Sequence, residues 1–291
     1  MTLIADAPSG APTAEAVMAR AGGENFPVAS RVLGRGVRAD LLALYGFARL
    51  ADEFGDAREG TAADRLAALD WLEAELDRAF AGDAHHPLLV ALEPTLRARS
   101  LERGPFVRLI EASRTDQRVS RYETWEQLRG YCALSADPVG ELVLAVFGAA
   151  TPERIVLSDA ICTALQLLEH CQDVAEDLTG GRIYLPAEDL ARFGCTPTEL
   201  EQAHAAAPLR ETIAFEVTRA RALLDEGAPL IDTLRGRARL AVAAFVAGGR
   251  AGLDAIEHAG YDTLPGPPPV GRVRRARTLL STLLEHRGRR S

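Results

Sequence analysis

Apolar residues recur along most of the chain at intervals of three and four, the period of a helix with one buried face. Leu41, Leu44, Tyr45 and Ala48 mark a first long run from Val37 to Asp56. A second spans Ala62 to Phe80, with Thr61 as its cap and Trp71 inside it. A third starts at Pro105, carries Phe106, Leu109 and Ile110, and reaches Asp116. Thr124 to Phe147 reads as one apolar helix bent at Asp137-Pro138, because proline removes a backbone donor. Pro152 opens another long run that stops at Gly180-Gly181. Helical patterns follow at Thr198–Ala206, Leu209–Glu226 and Pro229–Ala259. A short helix over Thr13–Ala21 ends at Gly22-Gly23, His85-His86-Pro87 reads as a surface turn, and Leu264–Gly271, with four prolines, is a turn. No stretch alternates like a strand. The pattern predicts an all-α chain: an unstructured lead over residues 1–12, then one helical domain over 13–291.

Composition narrows the function. Hydrophobic residues make up 47% of the 291 positions, enough for a large helical core. The formal net charge is -8 and there is no lysine, so the chain has no broadly basic face of the kind that binds nucleic acid. Four scattered cysteines without a CxxC pair, and an N-terminus with neither a basic n-region nor a long apolar run, point to reduced thiols in the cytoplasm. The tail is the exception in charge: residues 272–291 hold seven arginines against one glutamate, with Leu279, Leu280, Leu283 and Leu284 in a narrow stripe. Such a helix can dock on the rest of the chain or lie on an anionic membrane.

The candidate chemistry lies between Gln166 and Pro186, QLLEHCQDVAEDLTGGRIYLP. In a helix, Glu169, Asp173 and Asp177 share one face at i, i+4, i+8, with Glu176 bordering it. Like charges so stacked repel, and hard carboxylate oxygens without histidine or cysteine suit Mg²⁺ shared with phosphate oxygens. A solvated acidic face is the plain alternative. Asp52 and Asp56 repeat the spacing at the end of another long helix, and two such faces can hold Mg²⁺ around one diphosphate. The lone Glu201-x-x-His204 lacks the second copy that a di-iron bundle needs.

Four stretches in order carry a family resemblance: ENFPVAS (Glu24–Ser30), LYGFARLADEFGD (Leu44–Asp56), RYETWEQLRGYC followed by ALSADPVG (Arg121–Gly140), and QDVAEDLTGGRIYLP (Gln172–Pro186). In these the chain resembles the squalene/phytoene synthase family. The resemblance implies a single-domain isoprenoid-synthase bundle with a central active-site cavity, in which Asp52, Asp56, Asp173 and Asp177 hold Mg²⁺ and a prenyl diphosphate is the substrate. It further implies that Tyr45 and Tyr131 lie near the reacting carbons. Asn25, Phe26, Arg49, Ala136, Asp137, Gln166, Glu169, Gln172, Arg182 and Tyr184 would line the substrate site, the arginines near diphosphate. A guanidinium fork suits phosphate and an aromatic face suits a carbocation. Arg49 can equally pair with a neighbouring acid, and Tyr45 and Phe26 can be ordinary core.

Within the family, ENFPVAS, ADPVG and Gln172 are most similar to the bacterial hopanoid-pathway branch. That branch converts presqualene diphosphate and water to hydroxysqualene with no nicotinamide cofactor. Gln172 stands where many relatives have arginine, Glu169 where the carotenoid branch has asparagine, and Asp137 where relatives are glycine-rich. Gln172 and Asp137 would make the cavity more hospitable to water or a base. Two alternatives stay open: head-to-head condensation of two prenyl diphosphates, and a non-catalytic helical scaffold whose acidic faces bind metal.

Overall fold

The computed structural model describes residues 8, 12–19, 33–57 and 59–286, and every regular element among them is a helix; one isolated bridge, Arg121 to Ile183, is the only strand-like pairing there. No described helix is long and apolar enough to cross a membrane, and all four cysteines are free thiols. The helices gather in two compact units. One runs to Arg118 and includes Glu141–Ala150; the other comprises Val119–Gly140 and the chain from Thr151 onward.

The first unit contains α1 (Ala14–Ala19), α2 (Arg35–Gly55), α3 (Ala62–Ala81), α4 (Pro87–Arg99) and α5 (Arg103–Thr115). The apolar stripe of α2 packs on α3, α4 and α5. At its centre Phe47 meets Phe106 edge to face with centroids 5.0 Å apart, and Leu50, Leu69, Leu72 and Leu89 are fully buried around them. The predicted start of α3 is confirmed by a capping box: Thr61 accepts from the Asp64 amide and Asp64 accepts from the Thr61 amide. The turn before α4 differs from expectation. His86 is buried and sits edge-on to Trp71, because the buried Glu75 carboxylate accepts the backbone N–H groups of His85 and His86 and draws the turn inward. Burial works to raise the Glu75 pKa, but those hydrogen bonds and Arg78 outweigh it and keep the carboxyl below its ordinary value.

The second unit contains α6 (Trp125–Ser135), the start of α7 (Asp137–Val146), α8 (Pro152–Gln172), α9 (Val174–Thr179), α10 (Ala187–Arg192), α11 (Ala207–Gly227), α12 (Leu230–Thr233), α13 (Gly236–His258) and α14 (Arg272–Glu285). The axis of this unit is α8, against which α11, α13 and α6 pack. Glycines permit the close approach. A Cβ on Gly227 would fall 2.5 Å from the Leu157 carbonyl oxygen, and Gly249 and Gly252 face Leu165 and Leu168.

Two helical expectations fail here. Thr198–Ala206 forms only a 3₁₀ turn, Pro197–Glu199, because Asp262 captures the rest: it accepts from the Ala205 amide at 2.8 Å and pairs with His204 at 2.9 Å. Glu201 and His204 are therefore not a helical pair. Pro229–Ala259 is two helices, broken at Leu234, whose extended backbone ends α12 before Gly236 opens α13 at positive φ.

Candidate functional site

In the first unit, the predicted residues form one stripe on the last turns of α2. Tyr45 and Arg49 are half-buried, while Asp52 and Asp56 are exposed. Arg49 donates to Glu53 from Nε at 3.2 Å and Nη2 at 3.0 Å, the neighbouring-acid arrangement that the sequence leaves open. Burial works to lower the Arg49 pKa, but Asp52 and Glu53 outweigh it and hold it raised. The end of the helix is fixed by a residue that the sequence does not single out. Gln117 donates to the Gly55 carbonyl at 2.9 Å and to the Ser113 carbonyl at 2.9 Å, so the backbone beside Asp56 is tied to α5. Asp116, the nearby acid of the sequence, caps α5.

In the second unit, α8 ends at Gln172, and Asp173 stands at the break before α9. The helical spacing survives that break. The Asp173 amide bonds to the Glu169 carbonyl at 2.9 Å and the Asp177 amide to the Asp173 carbonyl at 2.8 Å, so Glu169, Asp173 and Asp177 keep their stacking. All three are half-buried, Glu176 is exposed and Gln172 is buried. Burial, with Glu176 beside it, pushes the Asp173 carboxyl above its ordinary range. A cation on this face would relieve that penalty, and the all-oxygen donors suit Mg²⁺. Among the described residues no three His, Cys, Asp or Glu side chains converge as a ready metal cage. Mg²⁺ is ordinarily held by one or two carboxylates together with substrate phosphates.

Aromatic rings stand beside the acidic face. Tyr131 of α6 and Tyr184 of the 182–186 loop are buried, with centroids 5.5 Å apart. The structure adds two rings that the sequence reading misses. His170 stacks on Tyr184 at 4.0 Å with planes 13° apart, and Tyr122 lies 5.4 Å from Tyr131 and 6.0 Å from Tyr184. Burial lowers the His170 pKa to about 3, so the imidazole is neutral at physiological pH. Its Nε2 lies 3.4 Å from the Gln166 amide and its Nδ1 4.0 Å from Asp177. The sole signal for His170 in the sequence is its place one residue after Glu169.

The RIYLP loop is held by backbone bonds to the segment before α6. Ile183 N–H donates to Ser120, Ala187 N–H to Tyr122 and Glu188 N–H to Glu123, each at 2.9 to 3.0 Å, and Glu188 in turn accepts from the Trp125 amide at 2.7 Å. That lacing sets Tyr184 over His170. Arg182 is half-buried, its amide bonded to the Asp177 carbonyl at 2.9 Å.

Ala136 forms the break between α6 and α7, one residue before the predicted kink. Asp137 is buried at 2% exposure and accepts from Arg129 Nη1 at 2.9 Å and Thr163 Oγ1 at 3.0 Å. Its charge thus joins α6 to α8 across the break, and it raises the Cys132 and Cys162 thiols, which burial has already pushed up, to about 12. Asn25 and Phe26 lie outside the described residues.

The family model described as squalene/phytoene synthase matches residues 19–278. A hydroxysqualene synthase of Zymomonas mobilis is 37% identical over 205 residues, 69% of this chain and 67% of the relative. A phytoene synthase of Arthrospira platensis is 33% identical over 256 residues, 82% of this chain and 81% of the relative. Among solved structures, squalene synthase HpnC from Alicyclobacillus acidocaldarius is 47% identical with a TM-score of 0.77, covering 84% of this chain and 92% of that one. A dehydrosqualene synthase, 24% identical, shares the fold with a TM-score of 0.82 over 94% of both chains.

Proposed function

Because the chain belongs to the squalene/phytoene synthase family and has its all-α isoprenoid-synthase fold, we propose that it converts presqualene diphosphate and water to hydroxysqualene and diphosphate. One observation within the second unit carries the chemistry. The half-buried carboxylates of α8 and α9 adjoin a cluster of buried aromatic rings, so a site for a charged leaving group borders surfaces that tolerate a cation. Similarity to proteins named hydroxysqualene synthase supports the choice of product.

In this reading the carbon–oxygen bond of the substrate breaks and its electron pair leaves with the diphosphate. After rearrangement, the oxygen of water bonds to the cation and one proton is released; no reductant is consumed. Asp52, Asp56, Asp173 and Asp177 would hold Mg²⁺. The chemistry that a bound Mg²⁺ supplies is neutralisation of the charge growing on the diphosphate. Arg49 and Arg182 would add guanidinium forks to the phosphate oxygens, Arg49 by leaving Glu53. Tyr131, Tyr184 and His170 present ring faces to the carbocation, and the neutral imidazole does so without opposing its charge. Gln172, buried beside Asp173, offers no cation to hold the released diphosphate.

Head-to-head condensation of two prenyl diphosphates is the second reading, favoured by the phytoene synthases among the relatives and by the similarity to HpnC, which is named a squalene synthase. Separate incubations with presqualene diphosphate and farnesyl diphosphate, with Mg²⁺ and without NADPH, followed by mass analysis of extracted lipids, distinguish the two. We expect hydroxysqualene from the former and little product from the latter. Rapid conversion of farnesyl diphosphate to presqualene diphosphate or squalene would favour condensation, and no lipid product from either substrate would overturn both readings.

A further inference from the structure

The C-terminal helix α14 turns some of its apolar residues to the protein and leaves others in water. It packs on α13. An amphipathic helix ordinarily turns its apolar stripe inward, yet the one buried residue within α14 is polar. Thr282 is fully buried and accepts from Arg250 at 3.3 Å. His286, which follows the helix, is buried too; it pairs with Asp232 at 2.8 Å and its carbonyl accepts from Arg239 at 3.0 Å. The opposite face is apolar and open. Val273, Leu280 and Leu284, at i, i+7 and i+11 and therefore on one stripe, are 82%, 60% and 52% exposed. Leu279 and Leu283, between that stripe and Thr282 on the wheel, are half-buried on the packed side.

Charge identifies what covers the stripe. The chain carries a net charge of -8, but α14 holds Arg272, Arg274, Arg275 and Arg277 against the single Glu285, and the sequence beyond it adds Arg287, Arg289 and Arg290. On a helical wheel Arg272 falls on one flank of the apolar stripe and Arg274 and Arg277 on the other. Arg274 and Arg277 make no ion pair among the described residues; both border a cleft of about 640 Å³ in which Arg221 is paired with Asp254 and Arg250 with Asp225 and Glu285. Exposed leucines between unpaired guanidiniums, on a helix of about 21 Å at 1.5 Å per residue, fit the surface of an anionic bilayer rather than its span.

We propose that α14 is a membrane-surface helix: Val273, Leu280 and Leu284 enter the headgroup–acyl boundary of an anionic bilayer while Arg272, Arg274 and Arg277 engage lipid phosphates. The inference stands apart from the proposed reaction, because its readout is lipid binding. The full chain is mixed with phosphatidylglycerol vesicles or with phosphatidylcholine vesicles and floated on a density gradient, at low and at high salt. Flotation is expected with phosphatidylglycerol, with much less on phosphatidylcholine and loss at high salt. The triple variant V273S/L280S/L284S should bind phosphatidylglycerol at least about tenfold more weakly while keeping the wild-type melting curve, since these side chains are already in water. Wild-type binding by that variant would overturn the proposal, as would no flotation of the wild type. Sedimentation velocity without lipid supplies a further arm. A dimer abolished by the same triple variant would assign the stripe to a second copy and overturn the proposal, whereas identical monomeric profiles support it.

Discussion

At the scale of single residues, the same side chain type does different work according to what surrounds it. Asp52 and Asp56 are exposed at a helix end; Asp173 is half-buried with a raised pKa; Asp137 is sealed between Arg129 and Thr163. Only the first three, with Asp177, have the access that a metal and a diphosphate require. Replacing Asp52 or Asp173 by Asn keeps size and removes charge, so each variant should fold as judged by circular dichroism and lose turnover on the order of 10²-fold or more, the loss typical when one charge-stabilising group is deleted. Near-normal rates in both folded variants would remove these residues from the site. The acidic pairs are legible in the sequence because spacing along a helix is local information. His170 and Tyr122 are not, since a lone imidazole or phenol has no periodic signature, and each meets Tyr184 only where the 182–186 loop is laced to residues 120–123.

At the scale of elements, capping and proline signals mark helix starts well. Thr61, Thr124 and Thr151 each cap the helix that the sequence begins there, because a cap is a contact over three residues. Elements decided by distant residues are misread, as where Asp262 converts Thr198–Ala206 from a helical pattern into turns. Close helix packing supplies the test at this scale. Gly227 of α11 leaves no room for a methyl group, and what stands against it includes the Leu157 carbonyl of α8, which cannot move aside as a side chain can. Gly227→Ala should therefore cost about 1–3 kcal/mol through overpacking despite the better helix propensity of alanine. Urea denaturation measures it, and a stability equal to or above wild type would mean that α8 and α11 do not approach this closely.

At the scale of the whole molecule, buried ionisable groups give stability a characteristic pH dependence. Glu216 is fully buried beside Asp189 and Arg219, and burial pushes its carboxyl from the ordinary 4.5 up to about 8 despite the pull of Arg219. The folded state then holds a proton that the unfolded state has released. Its contribution is full below about 4.5 and is lost as pH rises toward about 8. His86 and His170, whose pKa values burial lowers from 6.5, act oppositely, but their effect is complete once pH exceeds that value. Between pH 6.5 and 8 stability should thus fall with rising pH, and Glu216→Gln, neutral throughout, should flatten the fall. Chemical denaturation across that window checks it; an unchanged slope in the variant would assign the dependence elsewhere.

Helicity, the order of the long helices, their caps and the two aspartate spacings are determined by the sequence alone, because each is written within about four residues of itself. Tertiary structure decides what depends on residues far apart in the chain. It turns His86 inward through Glu75, gives Asp137 to Arg129 and Thr163, and assembles four rings from α6, α8 and two loops. It also turns α14 so that Thr282 is buried and Leu280 faces water. The amphipathic pattern shows that a helix has two faces; which face meets the protein depends on hydrogen-bonding partners such as Arg250 and Arg239, which only the folded chain brings within reach.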